Sequence, residues 1–119
     1  MRIQTATLAL AAILSAGVVA DDVMSYTACE DEKCFRDRAF WLNQHGESFA
    51  INAGDGCSGR GVPGIGDICF DWSQSRLKFF PTAGGQRCLR RKAGHELNHG
   101  CPLNYRCWYD YWAEVQCDW

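Results

Sequence analysis

Cys107-Trp-Tyr-Asp-Tyr-Trp-Ala-Glu-Val-Gln-Cys-Asp-Trp119 ends the chain and decides its fold class. From Glu114 onward, polar Glu114, Gln116 and Asp118 alternate with apolar Val115, Cys117 and Trp119. That period of two is the pattern of a half-buried strand. Just upstream, Trp108, Tyr109, Tyr111 and Trp112 crowd four aromatics into five positions. Such side chains bury large areas and fit a pleated surface. A cysteine at each end pins the segment where a terminus would otherwise fray. The stretch reads as a core strand of a small disulfide-stapled β domain.

Working back from it, Lys92 to Asn104 is polar and bounded by Gly94, Gly100 and Pro102. Gln86 to Arg91, Arg76 to Thr82 and Asp67 to Trp72 each read as a short strand, separated by Ala83-Gly-Gly-Gln86 and Ser73-Gln-Ser75. Three such strands on tight links make an antiparallel meander. Residues 53–66 hold six glycines and a proline and read as a loop tethered by Cys57. Ala39 to Gln44 and Glu47 to Asn52 flank His45-Gly46, a hairpin signal. Further back, Thr27 with Glu30 has capping-box spacing, which points to one short N-terminal helix, the alternative being an irregular arm held by disulfides. The fold class expected is all-β or β-dominated, a meander or sandwich in a single disulfide-rich domain.

The first twenty residues differ in kind. Arg2 precedes an apolar run from Ala6 to Val19, and Val18-Val19-Ala20 supplies small or β-branched residues before Asp21. This is the layout of a secretory signal peptide cleaved after Ala20, and the run is too short for a spanning helix. The expected division is 1–20 signal peptide and 21–119 exported domain, secreted and extracellular. All eight cysteines (Cys29, Cys34, Cys57, Cys69, Cys88, Cys101, Cys107 and Cys117) lie in the exported part. An even number in a short secreted chain predicts a disulfide framework of unspecified connectivity. Each bridge could contribute roughly 2–4 kcal/mol to a core that is marginal at this size.

Charge is unevenly spread. Residues 21–75 carry ten acids against four bases, whereas residues 76–106 carry seven bases and one acid, Glu96. The exported part is acidic overall, which argues against general DNA binding. Within the basic stretch, Arg87, Arg90, Arg91 and Lys92 form a candidate binding edge for an anionic polysaccharide, a headgroup or RNA, with a solvated strand end as the plainer explanation.

His95-Glu96-Leu-Asn-His99 matches H-E-x-x-H, which on a helix would set two histidines on one face for zinc with Glu96 as general base. A small zinc endopeptidase is therefore one alternative. Gly94, Gly100 and Pro102 crowd the motif, so a polar loop is the expectation, with no metal and no cofactor. The five tryptophans and four tyrosines raise a second alternative, a glycan-binding module, set against core roles for Trp72, Trp108 and Trp112.

Trp-x-Glu-x2-Cys-x-Trp at 112–119, Arg87-Cys-Leu before it and the leader together resemble small secreted cysteine-rich proteins of filamentous fungi, the effector-candidate type. The likeness spans about the last half of the chain. Gly56-Cys57-Ser-Gly-Arg60 before a meander also resembles βγ-crystallin-like killer toxins, although that family's aromatic-x4-aromatic-x-Gly signature is not present. The first resemblance implies action outside the producing cell, on a host or competitor target, and implies no reaction. The expectation is a monomeric, non-enzymatic effector or toxin-like binding protein without a transmembrane segment.

Overall fold

The computed structural model describes residues 21–119, so the signal-peptide expectation for 1–20 lies outside the described residues. Eight strands form one antiparallel sheet: β1 (Asp22–Glu30), β2 (Lys33–Leu42), β3 (Ser48–Ile51), β4 (Gly56–Gly59), β5 (Ile65–Asp71), β6 (Arg76–Pro81), β7 (Arg87–Leu97) and β8 (Arg106–Val115). Their order across the sheet is β3-β2-β1-β8-β7-β6-β5-β4. Every hydrogen-bonded neighbour is thus a sequence neighbour, apart from β1 and β8, which bring the two ends of the domain together. The order is that of a meander ring left open between β3 and β4.

One face of this sheet is apolar, and among the described residues no helix layer covers it, so the sheet wraps round its own side chains. Trp41 on β2 meets Phe79 on β6 edge to face at 4.8 Å between centroids, although three strands separate them in the sheet. Phe70 on β5 and Trp72 just beyond it meet Trp112 on β8 at 5.6 and 5.1 Å. Val23, Ile51, Ile68, Leu77 and Leu89 fill the space between them. Each buried indole N–H finds an acceptor: Trp41 donates to Asp21 Oδ2, Trp72 to the Ala53 carbonyl and Trp112 to Ser25 Oγ, at 2.7–2.9 Å. An unmet donor in such a core would cost about 1–3 kcal/mol, so these partners fix the ring orientations as well as their depth.

Several sequence expectations change at this level. The helix at Thr27 does not form. Val23, Ser25 and Thr27 instead alternate into the interior along β1, and Cys29 sits opposite Cys34 across a hairpin whose tight turn is Asp31-Glu32. The capping-box spacing is a local signal, and cross-strand pairing together with burial overrides it. The glycine-rich loop contains β4, held to β5 by the Cys57–Cys69 bridge at a directly paired position. β7 continues to Leu97, well into the polar segment, because β8 pairs with it throughout. β8 itself stops at Val115, and Cys117 leaves the sheet to bridge Cys88.

The bridges Cys29–Cys34, Cys57–Cys69, Cys88–Cys117 and Cys101–Cys107 leave no free cysteine. Chain-entropy scaling gives about 2 kcal/mol for the shortest loop and about 3.5 kcal/mol for the longest. All four staple neighbouring elements, and none crosses the opening between β3 and β4. Arg60 closes that seam. Its Nη1 donates to the Asn52 carbonyl at 2.6 Å, Nη2 to Gly54 and Gly56 at 2.9 and 2.8 Å, and Nε to Ile68 at 3.1 Å. Its guanidinium also lies 5.0 Å from the Phe70 ring, and burial pulls its pKa below the ordinary arginine value.

Arg60→Ala should therefore lower stability by on the order of 2 kcal/mol, since several charge-assisted bonds to seam carbonyls are lost together. Arg60→Lys should recover less than half of that, because an ammonium lacks the planar fork. Urea denaturation of the oxidised protein measures both; a midpoint unchanged by Arg60→Ala would show that the seam holds without it.

Candidate functional site

Curling a sheet leaves its two ends open, and at one end the interior turns polar. A cavity of about 540 Å³ lies there, lined by Thr27, Cys29, Cys34, Arg36, Arg91, Lys92, Gly94, Trp108 and Asp110. Two smaller hollows of about 260 and 310 Å³ lie elsewhere, and the second of them shares Cys34 and Arg36 with the first. The strands bordering the large hollow are β2, β1, β8 and β7, which are consecutive in the sheet.

Two irregularities in the ladder aim cations into it. Between β1 and β2 the register shifts so that Arg36 and Asp37 together oppose Thr27. Between β7 and β8 it shifts again, with Lys92 and Ala93 opposing Tyr111. Regular alternation would send Arg91 and Lys92 to opposite faces; the bulge lets both border the hollow. Gly94 completes the second irregularity. A Cβ there would strike the Asp110 carboxylate and stand 2.9 Å from the Tyr109 carbonyl, so only glycine admits this approach.

The electrostatics are lopsided. Arg91 Nη1 lies 3.6 Å from Asp110 Oδ2, and the Arg36 and Arg91 guanidiniums stand 5.0 and 5.9 Å from the Trp72 ring. Three cationic side chains border the hollow against one carboxylate, and of these Arg91 is the one in contact with Asp110. Burial raises the pKa of Asp110 above the usual aspartate value, and the attraction of Arg91 and Arg36 offsets this only in part. Thr27 Oγ1 and Arg36 Nε are buried and have no hydrogen-bond partner among the described residues. Thr27 itself is only 5% exposed. Unmet polar atoms just behind a cavity wall mark incomplete bonding on that side of the core.

The residues singled out in the sequence divide. Arg91 and Lys92 border the hollow. Arg87 is engaged with Glu114, its Nε 2.9 Å from Oε2, and Arg90 pairs with Asp118 at 3.3 Å while lying over Trp119. All four belong to β7; Arg87 and Arg90 are paired with both β6 and β8, whereas Arg91 and Lys92 lie beyond the β6 ladder and border the hollow. His95 and Glu96 lie in extended β7 and His99 in the bend after it, so the helical face that H-E-x-x-H requires is not formed. Glu96 accepts a two-pronged bond from Arg106 at 2.9 and 3.0 Å, which holds its carboxyl below the usual range. Of the aromatics, Trp72 and Trp112 are core, whereas Trp108 is only partly buried and borders the hollow. On the convex face, Phe40 and Tyr111 flank Met24 in register and are 40% and 48% exposed. The sequence did not single out Arg36, offered Thr27 only as a helix cap, and offered Asp110 only as a third ligand for the zinc alternative. The β-bulges that gather them have no composition signal, and only the glycine at 94 hinted at one.

Asp110 yields a pH dependence. Its folded pKa lies above the unfolded value of 3.8, so the ionised form carries a penalty at neutral pH that disappears as the group protonates. Relative to Asp110→Asn, the native protein should gain stability as pH falls from 7 through its raised pKa towards 3.8. Paired urea titrations of the two proteins at pH 7 and pH 4 check the sign; a gap that moves the other way would mean that the carboxylate is stabilised in place. No family model, curated protein or solved structure matches this chain, and the hollow is therefore interpreted from its own chemistry.

Proposed function

We propose that the protein is a secreted, non-enzymatic binding protein of effector or toxin type, acting outside the producing cell on a host or competitor. One observation carries most of this: all eight cysteines are paired, in four bridges around a single β core. Bridges of this density belong to small domains in oxidising compartments, where they compensate for a core that is slight for its surface. The leader-like residues 1–20 and the resemblance to small secreted cysteine-rich fungal proteins point the same way. Among the described residues no helix is long and apolar enough to cross a membrane. The binding half of the proposal is supported by the hollow. Its walls offer guanidinium, ammonium and hydroxyl groups, suited to holding a partner rather than attacking one.

Expression of the full chain in a eukaryotic secretory host, with intact mass measured on protein from the medium, tests the compartment. The expected species begins at Asp21 and is eight hydrogens lighter than the reduced chain, with no reactive thiol. Protein retained in cells with residues 1–20 attached, or recovered with several titratable thiols, would contradict it.

A further inference from the structure

We propose that the hollow at the β2-β1-β8-β7 end is a site for a phosphate monoester carried by a small ring-bearing molecule, such as a sugar phosphate or a nucleoside monophosphate. This rests on the binding-protein function proposed above and names the chemistry of its ligand.

Charge comes first. Arg36, Arg91 and Lys92 face the cavity against the single carboxylate of Asp110. The wall is thus doubly positive when Asp110 is ionised, and a phosphate monoester is close to doubly negative at neutral pH. Geometry comes second. The two guanidiniums approach from different strands, β2 and β7, with the Thr27 hydroxyl on β1 between β2 and β8. A carboxylate has two oxygens in one plane and is matched by a single fork. A phosphoryl group has three terminal oxygens set tetrahedrally, and can accept from two guanidiniums and a hydroxyl together.

Unmet bonding comes third. Arg36 Nε and Thr27 Oγ1 are buried without partners among the described residues, and both belong to residues that line this cavity. They lie just behind the cavity surface and show that polar bonding on this side of the core is incomplete. Size comes last. About 540 Å³ is far more than a phosphate group fills, and Trp108, partly buried on the wall, offers an aromatic surface for a ring attached to it. Asp110, 3.6 Å from Arg91, competes with a phosphoryl group for that guanidinium.

The test is calorimetric titration of the oxidised, secreted protein with inorganic phosphate, glucose 6-phosphate and adenosine monophosphate. Glucose, adenosine and glucuronate serve as controls for ring and carboxylate. At least one of the two esters is expected to bind more tightly than phosphate alone and than every control, and the preferred one identifies the source of the phosphoryl group. Arg36→Gln and Arg91→Gln should each weaken that binding at least tenfold. Asp110→Asn should strengthen it several-fold, an outcome that misfolding cannot imitate. Absence of binding by both esters would overturn the proposal, as would affinity unchanged in both arginine variants. Tighter binding of glucuronate than of either ester would overturn the phosphate assignment. Binding of single-stranded RNA that none of these substitutions affects, with no ester binding, would place the activity on the outer surface and also overturn it. The secretion experiment above can succeed while this one fails, so the two failures are distinguishable.

Discussion

The constraint on which the rest depends is that one eight-stranded sheet has to cover its own apolar face. Among the described residues there is no helix layer, and the strands themselves are laid over Trp41, Phe70, Phe79 and Trp112. Curling brings β2 against β6 and β5 against β8, and the edge-to-face contacts among their rings mark how far the wrap has gone. Arg60 then ties the two ends of the strand order together, doing across the opening what no disulfide does. The bridges link neighbouring elements, and the arginine ties the segment after β3 to β4 and β5.

The hollow follows from the same geometry. A curled sheet must end somewhere, and at this end the ladder departs from regular pairing in two places, at Thr27 opposite Arg36-Asp37 and at Tyr111 opposite Lys92-Ala93. Each departure turns a basic residue towards the cavity. The cost is visible in Asp110, a carboxylate held in a setting that disfavours its charge, and in two buried polar atoms without partners. Elsewhere the interior is well satisfied, down to each buried indole N–H. Unmet polar groups are thus concentrated at one end of an otherwise satisfied core, the end to which the proposed binding is assigned.

Much of this architecture was legible in the chain. Alternation at Ile68, Phe70 and Trp72, the turns at Ser73 to Ser75 and Ala83 to Gln86, and the aromatic run at 108–112 all correspond to strands and links of the meander. The eight cysteines announced the staples, although not their pairing. What failed did so for physical reasons. Thr27 and Glu30 carried a helix-start signal that cross-strand pairing overrode. Gly56 to Gly59 has too little side chain to show an alternating pattern, and it forms a strand because β5 and a disulfide hold it. The candidate site was only half visible. Arg91 and Lys92 stood out as a charge run, but Arg36, Thr27 and Asp110 meet them only because the sheet curls and bulges, and no short window of sequence encodes that meeting.

A doubly positive hollow in a four-bridged domain joins the fold to the proposed role, and the approach of its two arginines to Trp72 depends on the wrap of the sheet. The most direct measurement is a nuclear Overhauser spectrum of the oxidised protein, read at Trp41, Phe79, Arg36 and Trp72. Cross-peaks between the Trp41 and Phe79 rings are expected from their 4.8 Å centroid distance. The Arg36 side-chain protons should be shifted upfield by the Trp72 ring 5.0 Å away. An open sheet, with strand-to-strand contacts intact but neither of these signals, would contradict the wrapped core and the hollow together.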